Sequence, residues 1–381
     1  TRMTTPQTGR LDVSQQRGYH LLTSADFQGV FFADPVDAMT KTTAPIFVAG
    51  YTTRLQSGQF VASGPPSKSG LRIDGHNIYL PASLTGIADP SALPTIGFTV
   101  TRNPNGNVTI AETEPLRRCP GDAYPPTNSN CASPLSVPVV MKRSMVTSAN
   151  GAVLTIRDRF LSLNGAAHTV GIEYANSLGQ LQFGDSGIRL PGQSSFHAAP
   201  TDVFRTGFAR RPMTVLTTDD MFTADGGLDR KVAGLTWSGS PNIYFPGFRA
   251  FGLRYTRTIP AGGTASFTFV QEVGWDLATV RALAGPAQQA LTPHLVISRP
   301  RSGHVTSDNT PTVKGRITNA TNGYPRKVTV TVGPKSKTVK VSTTGRFKVT
   351  FTLANGKHTV SAKAHDPAGT TLLDSARFTV T

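Results

Sequence analysis

The sequence predicts an all-β protein: a large β-sandwich or supersandwich body over residues 1–291, followed by a smaller seven-stranded β-sandwich over 292–381. Three observations carry this expectation. The 381 residues include 37 Gly and 28 Pro, yet only 16% are charged, against a usual charged share near 25%. That balance argues against a coiled coil or a Lys/Glu-rich helical bundle. Hydrophobic residues make 38% of the chain and come in short, well-spread clusters, enough for a core and too short for a transmembrane helix, which needs a run of about 18 apolar residues or more. Finally, charge steps along the chain. Residues 294–381 hold 14 Lys+Arg and 3 Asp+Glu, a net of +11, whereas 1–293 hold 24 and 19, a net of +5.

In the body, strands are expected at Ile96–Thr101, Val108–Glu112, Val137–Met141, Val153–Arg157, Thr169–Tyr174, Leu253–Arg257 and Ala265–Val270, with Pro260-Ala261-Gly262-Gly263-Thr264 as a turn between the last two. Pro115, Pro120, Pro125, Pro126, Pro134 and Pro138 mark 115–138 as a long loop or hinge. One supersandwich over 1–291 and two smaller β domains joined at that loop both remain open. Arg157-Asp158-Arg159-Phe160 through His168-Thr169-Val170 reads as strand, short turn, strand. It resembles the hairpins of large extracellular β-sandwiches, including the supersandwich modules attached to glycoside hydrolases. A short helix is expected from Asp276, a plausible N-cap, to Gly285-Pro286, which should stop it. The domain boundary is placed near Thr292-Pro293.

Beyond the boundary the apolar period is two. Val328, Val330 and Val332 alternate with Thr329 and Thr331; Phe347, Val349 and Phe351 alternate with Lys348 and Thr350; Val360, Ala362 and Ala364 alternate with Ser361 and Lys363. With His294–Ser298, Pro311–Ile317, Lys335–Val341 and Leu372–Val380 this gives about seven strands, the count and spacing of an immunoglobulin-like sandwich. The motifs Gly345-Arg346-Phe347, Leu353-Ala354-Asn355-Gly356-Lys357-His358-Thr359-Val360 and Ala364-His365-Asp366-Pro367-Ala368-Gly369 resemble the ending of bacterial Ig-like domains. Ile297-Ser298-Arg299-Pro300 resembles their first strand and Pro-rich turn. The resemblance covers about 88 residues. It implies a secreted or surface-attached protein in which such modules are spacers or adhesive units, and it carries no catalytic residues.

Candidate sites are sparse. Cys119 and Cys131 bracket a polar, Pro- and Asn-rich surface loop with no His. A zinc site would need further ligands, and a local disulfide in an oxidising, extracellular compartment is favoured. Thr1-Arg2-Met3-Thr4-Thr5-Pro6 lacks the apolar core of a signal peptide, so the chain reads as a mature or truncated form of an exported protein. His168 and Gly184-Asp185-Ser186-Gly187 are similar to fragments of a chymotrypsin-type signature, but 17 residues cannot hold the two barrels that family places between base and nucleophile, and a structural hairpin is favoured. Asp219, Asp220, Asp225 and Asp229 have alternating carboxylates that suit calcium, although no EF-hand spacing is present. A helix cap with a Gly turn explains them equally, so no cofactor or metal is expected.

Trp237, Tyr244, Phe245, Phe248, Phe251 and Tyr255 lie within 19 residues. Beside Asn242 and Arg249, rings such as Trp237, Tyr244 and Phe248 would stack on sugars if exposed; the competing reading buries them in the core. In the second domain, Lys314, Arg316, Lys335, Lys337 and Lys348 fall on outward phases and form a basic face for a polysaccharide or anionic cell-wall polymer. Without exposed aromatics among them, specific nucleic-acid binding is not expected. A merely solubilising surface is the alternative. The sequence is read as that of an exported, non-catalytic surface or matrix protein acting in adhesion or polysaccharide association. The other reading is an accessory, carbohydrate-binding or spacer region of a secreted carbohydrate-active enzyme.

Overall fold

The computed structural model describes residues 2–3, 10–14, 19–24, 30–35, 45–51, 71–78, 97–123, 131–148, 152–178, 187–190, 193–198, 201–205, 214–218, 232–239, 241–247, 250–274, 276–320, 325–365 and 371–381. The chain forms two compact units, one of Thr1–Ala209 with Met213–Ala287, the other of Gln288–Thr381 with Arg210–Pro212. The fold is all-β, and among the described residues the strands pair antiparallel except for one short parallel pair. Among the described residues no helix is long and apolar enough to cross a membrane.

The first unit holds two ten-stranded sheets. One runs in the order Arg2–Met3, Gly97–Arg102, Val108–Arg118, Leu135–Thr147, Val153–Ser162, Thr264–Gly274, Val232–Trp237, Thr214–Thr218, Gly187–Arg189 and His197–Ala198. The other orders Thr201–Arg205, Asn242–Gly247, Ala250–Ile259, His168–Leu178, Pro45–Tyr51, Val30–Pro35, Tyr19–Ser24 and Arg10–Ser14, with Leu71–Ile73 and His76–Asn77 branching from His168–Leu178. Period-two alternation turns Val139, Met141 and Met145, then Leu154, Ile156 and Phe160, from the first sheet into the interior. There they meet Val170, Ile172, Tyr174, Leu253, Tyr255 and Ile259 from the second, in one continuous apolar cluster. Rings join the layers: Tyr174 stacks on Phe269 with centroids 3.8 Å apart, and Tyr255 meets Phe267 edge-on at 5.2 Å.

This two-layer core corrects two expectations. Residues 157–170 are not a hairpin. Val153–Ser162 pairs with Leu135–Thr147 and Thr264–Gly274, whereas His168–Leu178 belongs to the opposite sheet and pairs with Ala250–Ile259. The turn carries the chain between layers, because the inward residues of both strands face the same core from opposite sides. The Pro-rich segment is also shorter than its prolines imply. Pro115 and Pro138 lie inside Val108–Arg118 and Leu135–Thr147, which pair with each other; the pairing shifts register between Ser136 and Val140, and such an irregularity tolerates a residue without an N–H.

The helix spans Leu277–Leu291 and passes through Gly285-Pro286 instead of stopping there. Asp276 caps it as its sequence position predicts: Thr279 donates its N–H to Asp276 Oδ1 at 2.7 Å and its Oγ1–H to Oδ2 at 2.7 Å. Those bonds hold the Asp276 carboxyl below its ordinary range. Val280 packs with Leu216 and Val232 on the outer side of the first sheet. Beside them lies Glu272, fully buried, which accepts a hydrogen bond from Thr236 Oγ1 at 3.0 Å. Burial pushes its carboxyl up from 4.5 to about 8 against the opposing pull of the Thr236 bond. A Cβ on Gly234 would stand 2.7 Å from Glu272 Oε2, so the carboxyl sits over a glycine for lack of space.

The second unit is a sandwich of a three-stranded sheet, His294–Arg299, Thr312–Thr318 and Arg346–Thr350, and a five-stranded sheet, His304–Thr306, Thr371–Val380, Gly356–His365, Lys327–Val332 and Lys335–Lys340. The seven expected strands are all present. The addition is His304–Thr306, whose three residues are too few to show a period and which pairs in parallel with Thr371–Val380. Leu295, Val313, Ile317, Phe347 and Val349 from one sheet and Val328, Val330, Val360, Ala362 and Phe378 from the other share one buried cluster. Asp374, on the five-stranded sheet, accepts the Ile297 N–H of the other at 2.6 Å, where the pairing of His294–Arg299 shifts register. Gly315 is the cross-strand partner of Phe347. A Cβ there would meet Phe347 Cζ at 2.2 Å and the Val296 carbonyl oxygen at 2.7 Å, so the ring lies where a side chain at 315 would be.

Two predictions follow from these contacts. Gly315→Ala should destabilise the second unit by about 1–3 kcal/mol, the usual cost of overpacking, read as a lower denaturant midpoint for that unit's transition. Glu272 is neutral in the folded body and ionised in the unfolded chain between pH 4.5 and about 8. Its contribution is therefore full below pH 4.5 and is lost as pH rises to about 8, on the order of 1 kcal/mol per pH unit. Glu272→Gln should flatten that slope in unfolding curves collected across this range; an unchanged slope would contradict the assignment.

Candidate site: a cationic sheet face

On the three-stranded sheet, alternation that buries Leu295, Ile297, Val313, Gly315, Ile317, Phe347 and Val349 leaves Arg299, Lys314, Arg316, Arg346 and Lys348 exposed. The register then sets like charges against each other. Arg299 pairs with Lys314, and Lys314 with Lys348, giving one cation per strand in a single row. Two residues along, Arg316 pairs with Arg346, and Val296 fills the third position of that row. Beyond Lys314 and Lys348 the next pair on this face is Thr312 and Thr350, whose hydroxyls are 3.0 Å apart. Adjacent strands are about 4.8 Å apart, and same-face residues about 7 Å apart along a strand.

Directly opposed like charges destabilise a sheet, so counter-charges would be expected nearby. Residues 294–381 contain three carboxylates, Asp308, Asp366 and Asp374. Asp374 is committed to the Ile297 and Ser375 N–H groups. Asp308 accepts from the N–H and Oγ1–H of Thr310, which holds its carboxyl below its ordinary range. Asp366 lies outside the described residues. No ion pair among the described residues involves any of the five cations.

Of the basic residues singled out in the sequence, the structure brings Lys314, Arg316 and Lys348 together on this face. It puts Lys335 and Lys337 elsewhere. They stand on the last strand of the five-stranded sheet, where Lys337 Nζ donates to the Thr350 carbonyl at 2.7 Å and Lys335 Nζ to the Thr352 carbonyl. Lys337 Nζ also lies 5.3 Å from the Phe351 ring centroid. Both are exposed, as their outward phase implies, but they belong to the other sheet from Lys314, Arg316 and Lys348. Arg299 and Arg346 escaped sequence reasoning, although each stands in the outward phase, Arg299 at a strand end and Arg346 directly before Phe347.

The aromatic cluster in the body takes the other course from sugar stacking. Trp237 is fully buried in the core and Tyr255 nearly so. Val232–Trp237 is buried at every position because it is a central strand covered on both faces. Tyr255 donates its hydroxyl to the Ser238 carbonyl at 3.1 Å. Trp237 therefore presents no face to a ligand, and its candidacy is withdrawn. Asn242 is half-buried opposite Arg254. Phe248, Arg249 and the side chains of Tyr244, Phe245 and Phe251 lie outside the described residues, as do Asp219–Asp229 and Ser186.

Three groupings in the body had weak or unread sequence signals. Arg143 and Asp158 are cross-strand partners buried in the core, joined by two bonds of 2.7 Å. Both stand in the apolar phase, Arg143 between Met141 and Met145 and Asp158 between Ile156 and Phe160, which is the legible mark of a buried pair. His168, nearly buried, bonds Asp74 through Nδ1 at 2.8 Å and Asn164 through Nε2 at 2.9 Å. Burial works to raise the Asp74 carboxyl, but the Thr169 N–H and His168 outweigh it and hold it below its ordinary range. Nearby in sequence, His76 Nδ1 contacts Asp122 at 2.6 Å, beside Arg118. No group of three or more His, Cys, Asp or Glu able to hold a metal occurs among the described residues. Cys119 and Cys131 are joined as a disulfide with Cα atoms 4.8 Å apart. Both sulfur-bearing residues are buried, with Ala123 packed against them, while Pro120 and Gly121 between them are exposed.

Residues 293–381 match the family model "Glucodextranase, domain B". That match covers the second sandwich and leaves the body outside it. Among solved structures, the chain is similar to the fibronectin(III)-like modules of Clostridium thermocellum CbhA, at 17% identity over 23% of this chain and 96% of that one, with a TM-score of 0.20. It is similar also to a putative aldose 1-epimerase of Klebsiella pneumoniae, at 11% identity over 73% and 85% of the two chains, TM-score 0.34. A polysaccharide lyase gives 10% identity over 74% of this chain and 39% of that one, TM-score 0.26. Scores this low leave the fold to be defined by the strands themselves. No curated protein matches the chain.

If the disulfide forms in the protein as produced, mass spectrometry of unreduced peptides will show a single Cys119–Cys131 link. Its reduction should then lower stability by at most about 3 kcal/mol, the loop-closure value for a crosslink this short. Free thiols at both positions would contradict the bond and the oxidising compartment together.

Proposed function

We propose that this chain is an exported, non-catalytic, carbohydrate-associated protein whose C-terminal sandwich, residues 292–381, acts as an independent module that holds an anionic polymer. The observation that supports this most is the pair of like-charge rows on the three-stranded sheet, uncompensated by any carboxylate among the described residues. A sheet surface kept only for solubility gains nothing from placing cations directly opposite one another, whereas a polyanion laid on the rows turns repulsion into attraction. The extracellular reading draws on the disulfide and on the match to a domain of a glucodextranase.

That match also favours the second reading, an accessory region of a carbohydrate-active enzyme, because the family is named for one domain of such an enzyme. The two readings part on charge. Affinity electrophoresis of the full chain should show retardation by acidic polysaccharides at low salt, with the affinity falling at least about tenfold between roughly 50 and 200 mM salt. Neutral glucans should cause no retardation. Salt-resistant retention by a neutral glucan would favour the accessory-region reading instead, and no retention by any acidic polymer would overturn the polyanion reading.

A further inference from the structure

We propose that the ligand of the three-stranded sheet is a linear acidic polysaccharide carrying one carboxylate per sugar, lying across the strands along the row Arg299–Lys314–Lys348. This inference rests on the polyanion reading above and narrows it to a chemical class, a location and a direction.

The direction comes from the register. Along the row, cations recur once per strand, at about 4.8 Å, close to the length of one sugar in an extended glycan. Along any single strand the same-face repeat is about 7 Å, and the middle strand carries only two cations, Lys314 and Arg316, before Thr312 and Thr318 end the series. A polymer with a carboxylate on every sugar therefore finds a cation across the strands at each sugar or, where successive carboxylates alternate in side, at every second one, Arg299 and Lys348. Along one strand the spacing does not match. Phosphodiester-linked polyols, whose charges are more widely spaced, do not meet three cations in one row.

The chemical class comes from what the face contains. Among the described residues it shows no Phe, Tyr or Trp, only the imidazole of His294 at its end. Neither a neutral sugar nor a nucleobase therefore finds a broad stacking platform along the row, and recognition rests on charge and hydrogen bonding. Arg299 at the start of the row, and Arg316 beside Arg346 in the next, offer guanidinium forks that suit the planar carboxylate in bidentate geometry. Val296, 38% exposed, lies next to Arg316 and supplies an apolar contact for the C–H face of a sugar ring.

The test uses the full chain and three probes: polygalacturonate, the same polymer fully methyl-esterified, and a glycerol-phosphate polymer. Two variants remove equal charge. Arg299→Gln/Lys314→Gln/Lys348→Gln empties the row, while Lys340→Gln/Lys357→Gln/Lys363→Gln strips three exposed lysines from the five-stranded sheet. Polygalacturonate should bind wild type and the second variant with affinities within about threefold, and the first variant at least tenfold more weakly; the esterified polymer should not bind. Because the row variant relieves like-charge pairing, its melting temperature should hold or rise, which separates lost binding from lost fold. Equal losses in both variants would show diffuse charge attraction and overturn the assigned row. Tighter binding of the glycerol-phosphate polymer would overturn the carboxylate class while leaving polyanion association standing. Failure of both charged polymers to bind at low salt would overturn both readings.

Discussion

The seating of the Phe347 ring on Gly315 governs the geometry of the cationic face. A side chain at 315 would collide with the ring and with the Val296 carbonyl, so the two strands fit closely only where the bare glycine faces Phe347. That pairing aligns Lys314 with Lys348 and Arg316 with Arg346. A slip of Arg346–Thr350 by one residue would carry Arg346 and Lys348 into the core and Phe347 and Val349 out to water, which the hydrophobic cluster forbids. One apolar contact on the buried side thus dictates which charges oppose one another on the other side.

In the body the ordering constraint is a core shared by two large sheets. Aromatic pairs between Tyr174, Tyr255, Phe267 and Phe269 bind the layers, and the same closeness makes polar groups costly unless partnered. The Arg143–Asp158 pair meets that cost with a bidentate contact. Glu272 meets it differently, by giving up its charge. Neither arrangement adds a site open to solvent: Arg143 and Asp158 are turned inward between the sheets, whereas Glu272 is buried on the other face of its sheet, beside Val280 of the helix.

The all-β class and the strand positions of the second sandwich were legible because period-two alternation is local and each strand there is four residues or longer. His304–Thr306 was not, since three residues cannot establish a period. The outward phase of Lys314, Arg316 and Lys348 could be read one strand at a time, but their alignment into rows depends on register, a long-range property. The same limit hid Arg299 and Arg346. Lys335 and Lys337 share the outward phase, yet a carbonyl on a neighbouring strand decides where their ammonium groups go. Trp237 was ambiguous because the sequence does not say which strand is central. The hairpin expected at 157–170 became a crossing between layers for a similar reason: a short turn looks alike in both cases.

Strand Arg346–Thr350 ends its sheet, and the nearby carbonyls of Thr350 and Thr352 are held by Lys337 and Lys335. An open strand edge is where a second copy of a chain begins to add itself. Here the first groups that an approaching copy meets are ammonium heads like its own. Like-charged heads at such an edge disfavour edge-to-edge pairing of copies. Acylation of those two amines by an activated acyl donor would replace each ammonium by a neutral amide and so remove the positive heads at this edge together.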